Sequence, residues 1–153
     1  MTIFEAIRQE DLALVKQVYD ENPSILNEQD QRGSTPLLLA TYFGNEEIAK
    51  FLIDQGADLN AQDKSGNTAL MGVSFKGFDV IVDLLITAGA DVNILNYSGA
   101  NAASYAVTFN QKGILQRLIQ AGIDLNIKDA NGKTLIDLAK AQGLKEFVEL
   151  LAA

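Results

Sequence analysis

The stretch GADLNAQDKSGNTAL, which runs from Gly56 to Leu70, decides the fold because closely similar stretches follow it. GADVNILNYSGANAA occupies 89–103 and GIDLNIKDANGKTLI occupies 122–136, so each copy begins 33 residues after the one before it. Self-similarity at a fixed period of roughly 20 to 50 residues is typical of repeat proteins, in which short units stack on one another. The sequence therefore predicts a row of stacked units.

Turn-forming residues follow the same period along the chain. Ten of the twelve glycines fall into three rows, and aspartate and asparagine form further rows beside them. The glycine rows are Gly33, Gly66, Gly99 and Gly132, then Gly44, Gly77 and Gly143, then Gly56, Gly89 and Gly122. Because glycine, aspartate and asparagine all favour turns, these rows predict tight turns that separate short segments of regular structure.

Each unit contains two short segments with helical spacing of apolar residues. In the second segment, two apolar rows four residues apart mark one face of a helix. These rows are Ile48, Ile81, Ile114 and Phe147, and then Leu52, Leu85, Leu118 and Leu151. The first segment begins with a residue that favours a helix N-cap, namely Thr35, Thr68, Asn101 or Thr134. Helices this short are not stable alone, so their apolar faces must pack against neighbouring units.

The stretch GSTPLLLATYFGNEEIAKFLIDQGADLNAQD, at 33–63, resembles an ankyrin repeat. Repeats of that family consist of a β-turn and two antiparallel helices, with a period of about 33 residues and the signature Thr-Pro-Leu-His-x-Ala. The resemblance covers essentially the whole chain and implies an all-α repeat fold, an ankyrin-repeat solenoid of helix–turn–helix units joined by β-turns or hairpin loops. We expect one domain, 1–153, with divergent terminal caps that complete it and with units at about 1–29, 30–62, 63–95, 96–128 and 129–153.

The chain departs from the family signature in several places. The histidine positions hold Leu38, Met71, Ser104 and Asp137. In the family that histidine helps to join neighbouring turns by hydrogen bonds, so its loss predicts looser coupling between the turns. The fourth unit is the most irregular, with Asn110 at a glycine position, Gly113 inside the second helix and Arg117 in an apolar row. Two interpretations stay open, namely sequence drift in a unit held by its neighbours, or a mobile or specialised functional unit.

One row combines a missing side chain with an oversized one. It consists of Leu39, Gly72, Tyr105 and Leu138. Because protein interiors are filled to nearly the density of crystals, we expect the Tyr105 ring to occupy the space that Gly72 leaves empty.

Composition limits the chemistry that the chain could perform. With 153 residues and 48% hydrophobic content the chain is long enough for a sizeable core, yet it has neither cysteine nor histidine. Disulfides, thiolate nucleophiles and the commonest metal ligand and acid–base residue are therefore missing. No phosphate-binding or dinucleotide-binding glycine motif occurs either. We expect no cofactor, no metal and no enzymatic activity.

Pairs of carboxylates are the remaining candidates for catalysis. Glu46 with Glu47 and Asp79 with Asp83 fall on the outer helices, where a solvated surface charge is the simpler explanation. Asp137 replaces the signature histidine on an inner helix, and we expect a somewhat perturbed pKa there without a catalytic partner. The carboxylates therefore do not predict an active site.

The net charge of −8 argues against a general nucleic-acid binder, since neutralising phosphates requires a surplus of lysine and arginine on one face. The first residues, MTIFEAIRQED, include acidic residues and lack the long apolar run of a signal peptide, and no stretch approaches about 18 apolar residues. We expect a soluble, cytoplasmic protein with neither a nucleic-acid nor a membrane partner.

Family resemblance also indicates where a partner would bind. In ankyrin proteins the turn tips and the exposed sides of the first helices form a concave groove. By position, this groove contains an unusual number of aromatic side chains, and aromatic residues are enriched among interface hot spots. The candidate binding residues are Arg32, Tyr42, Phe43, Lys64, Phe75, Lys76, Tyr97 and Phe109. For the aromatic residues, the alternative is that the rings pack against neighbouring helices and close the groove themselves. For the basic residues, the alternative is a surface of mixed charge that produces no directed electrostatic field.

The leading hypothesis is a non-catalytic protein–protein interaction module, an adaptor, scaffold or inhibitor that binds an unidentified protein in the groove. A second hypothesis is an accessory subunit or small-ligand-binding protein associated with an enzyme, which a deep, closed pocket among the aromatic residues would favour. A third is self-association through the aromatic residues, although we expect a monomer.

Overall fold

A computed structural model describes all 153 residues of the chain and contains ten α-helices. In order they are α1 (Ile3–Arg8), α2 (Leu12–Glu21), α3 (Pro36–Tyr42), α4 (Glu46–Asp54), α5 (Ala69–Lys76), α6 (Asp79–Ala88), α7 (Ala102–Thr108), α8 (Lys112–Gln120), α9 (Leu135–Ala141) and α10 (Lys145–Ala152). A short 3₁₀ helix, Pro23–Ile25, follows α2. No strand forms, and the only β-bridge joins Lys128 to Thr134. The expected all-α fold class is confirmed.

The helices form two layers of antiparallel pairs. The odd-numbered helices α1, α3, α5, α7 and α9 pack side by side in that order as an inner layer. Outside them, α2 packs on α4, α4 on α6 and α6 on α8. Each inner helix also packs against the outer helix that follows it in the chain. This arrangement is the predicted helix–turn–helix solenoid.

One continuous hydrophobic core runs through all the units. Leu52, Leu85 and Leu118 are completely buried, and they belong to a single cluster of 30 buried residues. The leucine row of the outer helices is therefore buried in one shared core, as the helical spacing predicted. Each unit therefore depends on its neighbours to cover its apolar surface.

The predicted N-caps begin the inner helices. The side-chain oxygen of Thr35, Thr68, Asn101 or Thr134 accepts a hydrogen bond from the N–H three residues further on, at 3.1 to 3.3 Å. These bonds satisfy N–H groups that have no partner inside the helix. The repeated cap explains why every inner helix begins at the same position of its unit.

A left-handed residue turns the chain from each inner helix into the next outer helix. Gly77 has this conformation with φ of 82°, and Asn110 takes it in the fourth unit with φ of 58°. Asparagine tolerates this region better than most residues with a side chain, so the exchange is mild. In the first unit the equivalent residue is Glu10, with φ of 54°, because α1 is one residue shorter than α3.

Hydrogen bonds between units join the neighbouring loops despite the missing histidines. The Gln62 amide donates to the carbonyl of Gly66 at 2.8 Å and to that of Leu95, in the next unit, at 3.2 Å. Gln29 makes the same pair of bonds one unit earlier. Glutamine amides therefore join these turns where the family histidine is missing, and looser coupling between the turns stays a prediction.

A second series of bonds repeats along the loops that follow the outer helices. The N–H groups of Asp58, Asp91 and Asp124 donate to asparagine side chains of the preceding unit at 2.7 to 2.8 Å. The acceptors are Asn27, Asn60 and Asn93. The asparagine row thus connects units as well as shaping turns.

The irregular residues of the fourth unit have structural contacts. Gly113 is the second residue of α8, so it lies at the start of that helix and not deep in its interior. Arg117 places Nε 2.9 Å from Asp83 Oδ1 and Nη2 3.6 Å from Asp79 Oδ2. Because both aspartates lie on α6, Arg117 joins two outer helices, which favours the structural interpretation of this unit.

Candidate partner-binding groove

The inner layer exposes four large aromatic side chains near the ends of its helices. Tyr42 and Phe43 end α3, Phe75 lies in the last turn of α5, and Phe109 caps α7. All four are one or two residues before a left-handed turn residue, so the repeat brings them to the same edge. We call these four residues the aromatic strip, and the surface between them and the turn tips the groove.

Rings of the aromatic strip contact one another and remain partly exposed. Phe75 and Phe109 meet edge to face with centroids 4.3 Å apart, and Tyr42 meets Phe43 in the same way at 5.7 Å. The exposed fraction still ranges from 38% at Phe75 to 55% at Tyr42. Self-packing therefore orders the rings without closing the groove.

Lys76 also belongs to this edge. Its ammonium nitrogen lies 4.3 Å from the centroid of the Tyr42 ring, which is a cation–π distance. This contact links α5 to α3 and fixes a positive charge beside the strip.

The other three predicted residues lie on the turn tips. The N–H of Lys64 donates to the carbonyl of Arg32 at 3.3 Å, so these two residues are neighbours on successive tips. Tyr97 lies on the third tip, where its N–H donates to Ser65 and its ring covers Gly66. With 72% of its surface exposed and no paired ring, Tyr97 stands apart from the aromatic strip.

A cavity of about 360 Å³ opens between the strip and the first two turn tips. Its lining includes the strip residues Tyr42 and Phe75, together with Gly72 and Tyr105. The expectation that the Tyr105 ring fills the space beside Gly72 is wrong, because a Cβ built on Gly72 would meet no atom within 4 Å. The missing side chain has left an open cavity.

Two hydrogen bonds explain the position of Tyr105. Its hydroxyl donates to Asn67 Oδ1 at 3.0 Å and accepts from Asn96 Nδ2 at 3.0 Å. Asn96 also donates to Asn67 at 2.9 Å, which closes a small network at the base of the turn tips. The network holds the ring as a wall of the cavity.

Sequence reasoning missed Arg8 as a groove residue. Arg8 is not among the predicted binding residues, yet it lines the cavity and lies 3.9 Å from Asp30. Because α1 is one residue short, a shift of 33 misaligns this position. Counting back two residues from the left-handed turn residue instead aligns Arg8 with Tyr42 and Phe75.

The charges of the groove are mixed, with unpaired cations among them. Arg32, Lys64 and Lys76 take part in no ion pair. The nearby carboxylates shape the turns, since one oxygen of Asp30 accepts the N–H groups of Arg32 and Ser34 at 2.9 Å each. Asp63 does the same one unit later.

The carboxylates that were candidates for catalysis either cap a helix or lie exposed on the surface. Asp137 accepts the N–H of Thr134 at 3.0 Å in a capping box, and this hydrogen bond is the main reason that the pKa of Asp137 is lowered. Glu46 and Glu47 are exposed in the first turn of α4. No group of three or more aspartate or glutamate side chains converges in a way that could hold a metal ion.

No helix has the length and apolar character needed to cross a bilayer. The sequence matches the family model described as ankyrin repeats (3 copies) over 3–96 and 71–153, which together leave out only the first two residues. The chain belongs to the ankyrin-repeat family. Ankyrin repeats are protein–protein interaction modules, and the family is generally non-catalytic.

Relatives with curated descriptions match part of this ankyrin-repeat chain. Ankyrin repeat and SAM domain-containing protein 6 of Rattus norvegicus is 32% identical, over 37% of this chain and 10% of the relative. BTB/POZ domain-containing protein 3 of Schizosaccharomyces pombe is 37% identical, over 37% of this chain and 11% of the length of that relative. The human DNA-binding protein RFXANK is 34% identical, over 38% of this chain and 22% of the length of that relative. The match thus spans between a tenth and about a fifth of these relatives.

Proposed function

We propose that this ankyrin-repeat chain binds one protein partner in the groove and acts as an adaptor, scaffold or inhibitor without catalysis of its own. The observation that carries the proposal is the aromatic strip, in which rings are ordered by their contacts and yet keep between 38% and 55% of their surface exposed. Rigid, exposed aromatic area is typical of interface hot spots, because little conformational entropy is lost when a partner covers it.

The binding residues that we propose fall into two groups. Tyr42, Phe43, Phe75 and Phe109 would supply the buried centre of the interface. A cationic edge of Arg32, Lys64 and Lys76 would steer and orient the partner, and Tyr97 would contact it on the third turn tip. Charges at an interface edge contribute mainly to the association rate and to specificity.

A protein partner agrees better with the charge than a nucleic acid does. The chain carries a net charge of −8, and phosphate binding would require a continuous basic surface. One human relative is named a DNA-binding protein, but the match covers 22% of that relative, and its name describes the whole protein. A monomeric, cytoplasmic protein stays our prediction.

Affinity capture followed by direct binding measurement tests the proposed function. Proteins captured from the native host would be identified and then titrated, in purified form, against the wild type and a Tyr42/Phe75/Phe109 triple alanine variant. Val80→Ala is the matched control, since Val80 is 46% exposed on the outer helix α6. We expect the triple variant to lose binding and the control to keep it. Equal binding by all three chains would remove the groove from the interface.

A small-ligand function is the second candidate, and the cavity of about 360 Å³ favours it. Small-molecule pockets occupy about 300 to 1,000 Å³ and are mainly apolar with a few polar groups. Thermal-shift screening of metabolites against the wild type would detect such a ligand. Stabilisation by a free metabolite, together with capture of no protein, would replace the proposed partner with this candidate.

A further inference from the structure

The cavity in the groove exists because one residue has no side chain. The other members of the same row, Leu39, Tyr105 and Leu138, are all large. Gly72 lies in the middle of α5 and is absent from the glycines with positive φ, so its backbone does not require glycine. Glycine inside a helix is unfavourable relative to alanine or leucine. Gly72 lines the cavity, and a Cβ at this position would meet no atom within 4 Å, so the missing side chain leaves space there.

Apolar side chains form part of the cavity wall. Leu38, Leu39 and Met71 line it together with the two rings of Phe75 and Tyr105. The hydrogen bonds of the Tyr105 hydroxyl with Asn67 and Asn96 hold the far wall in place. Its volume of about 360 Å³ lies near the lower end of the range for ligand pockets of about 300 to 1,000 Å³. This size suits one large side chain with its adjoining backbone.

Charged residues of both signs line the opening, namely Arg8 and Arg32 with Asp30 and Asp63. Besides the two arginines, Lys76 adjoins the cavity through its contact with the Tyr42 ring. Arg32 and Lys76 have no ion pair, and the 3.9 Å separation of Arg8 from Asp30 is too long for a hydrogen bond. The two carboxylates of the lining, Asp30 and Asp63, each use one oxygen for two turn N–H groups. Arg32 and Lys76 are therefore available to an acidic ligand, and one long ion pair with Asp30 is the only ionic contact of Arg8.

We propose that the cavity beside Gly72 receives one leucine- or phenylalanine-sized side chain of an extended partner segment, whose flanking carboxylates pair with Arg8 and Arg32. This inference rests on the proposed function and assigns the chemistry of the partner. An extended segment fits better than a free small molecule because Tyr42 and Phe75 belong both to the cavity lining and to the exposed strip. An occupant of the cavity would therefore continue along the groove.

Selection of a random peptide display library on the wild-type chain gives the first test. The enriched peptides are expected to share one bulky apolar residue with aspartate or glutamate within a few positions of it. A synthetic consensus peptide would then be titrated by fluorescence anisotropy, beside versions with the anchor changed to alanine or the acids changed to lysine. Both changes should weaken binding at least tenfold. No enrichment, or a consensus with basic flanks, would contradict the assigned chemistry.

Gly72→Leu gives the second test. Filling the cavity should weaken peptide binding without lowering the stability of the fold, so the two effects can be measured separately. The new side chain enters open space and improves helix propensity, so the melting temperature should stay the same or rise. Peptide affinity should fall at least tenfold, with Gly72→Ala intermediate. Gly113→Ala is the matched control, since Gly113 is the other helical glycine with ordinary φ and lies on the outer helix α8. It should bind the peptide as the wild type does.

The outcomes distinguish this inference from the proposed function. If Gly72→Leu binds normally while Phe109→Ala does not, the groove binds a partner but the cavity receives no anchor. If both variants bind normally, the groove is not the site at all. If N-acetylphenylalanine alone binds as tightly as the peptide, the cavity takes a free small molecule and the segment proposal is wrong.

Discussion

Replacing Leu85 with alanine should destabilise the whole chain, because this side chain lies in the centre of the core that joins the units. Leu85 is completely buried on α6, which packs against both α4 and α8. Truncating a buried leucine costs about 2–5 kcal/mol, and the upper part of that range applies where the surroundings cannot collapse into the cavity. Packing on both sides limits such collapse, so we expect about 3–5 kcal/mol.

That loss is a large fraction of the total stability, which for a domain is about 5–15 kcal/mol. For a chain of this length each kcal/mol lowers the melting temperature by about 2–4 °C, so a decrease of about 6–20 °C is expected. Urea denaturation followed by circular dichroism would measure the change in free energy of unfolding. Val80→Ala is the control, since it removes an exposed side chain from the same helix and should cost less than about 0.5 kcal/mol. If the two variants were equally stable, the units would not share a continuous core.

Two smaller predictions concern charges. Arg117→Ala should destabilise the chain by less than about 1 kcal/mol, because Asp79 and Asp83 are more than half exposed; denaturation at low and high salt should show a difference that shrinks with salt. Since the hydrogen bond from Thr134 lowers the folded-state pKa of Asp137, its stabilising contribution is present above the unfolded-state pKa and is lost as pH falls through the folded-state pKa. Melting curves from neutral to acidic pH should therefore show a smaller acid-induced loss in Asp137→Asn than in wild type, and equal losses would contradict this role.

Much of the fold could be predicted because the period aligns equivalent residues without any other sequence. The burial of Leu52, Leu85 and Leu118 and the caps at Thr35 and Thr68 both follow from rows that repeat. Every unit repeats the same residue pattern, so a pattern shared by several units does not arise by chance.

Inter-unit hydrogen bonds were harder to foresee. Gln29 and Gln62 join the turns by their amides, although no rule of spacing distinguishes these residues from other polar residues in a loop. The family signature places the bond-forming residue at the histidine position, whereas in this chain the bonds come from the glutamines. A missing signature residue does not show that its interaction is missing.

The groove was predicted in part. Position in the repeat correctly indicated that Tyr42, Phe75 and Phe109 are exposed, but row alignment does not determine where a side chain points. The position of the Tyr105 ring is set by the hydrogen bonds of its hydroxyl with Asn67 and Asn96. Moving the ring into the space beside Gly72 would break these bonds, and leaving a partly buried hydroxyl without a partner costs free energy.

The most direct test of the groove as a binding site is the affinity of Phe75→Ala for the captured partner, measured by isothermal titration calorimetry. Phe75 exposes 38% of its surface and contacts Phe109 at the centre of the aromatic strip. We expect a loss of about 2 kcal/mol in binding, or roughly thirtyfold in Kd, with a melting temperature within about 5 °C of wild type. Unchanged affinity in the folded variant would show that the partner binds elsewhere.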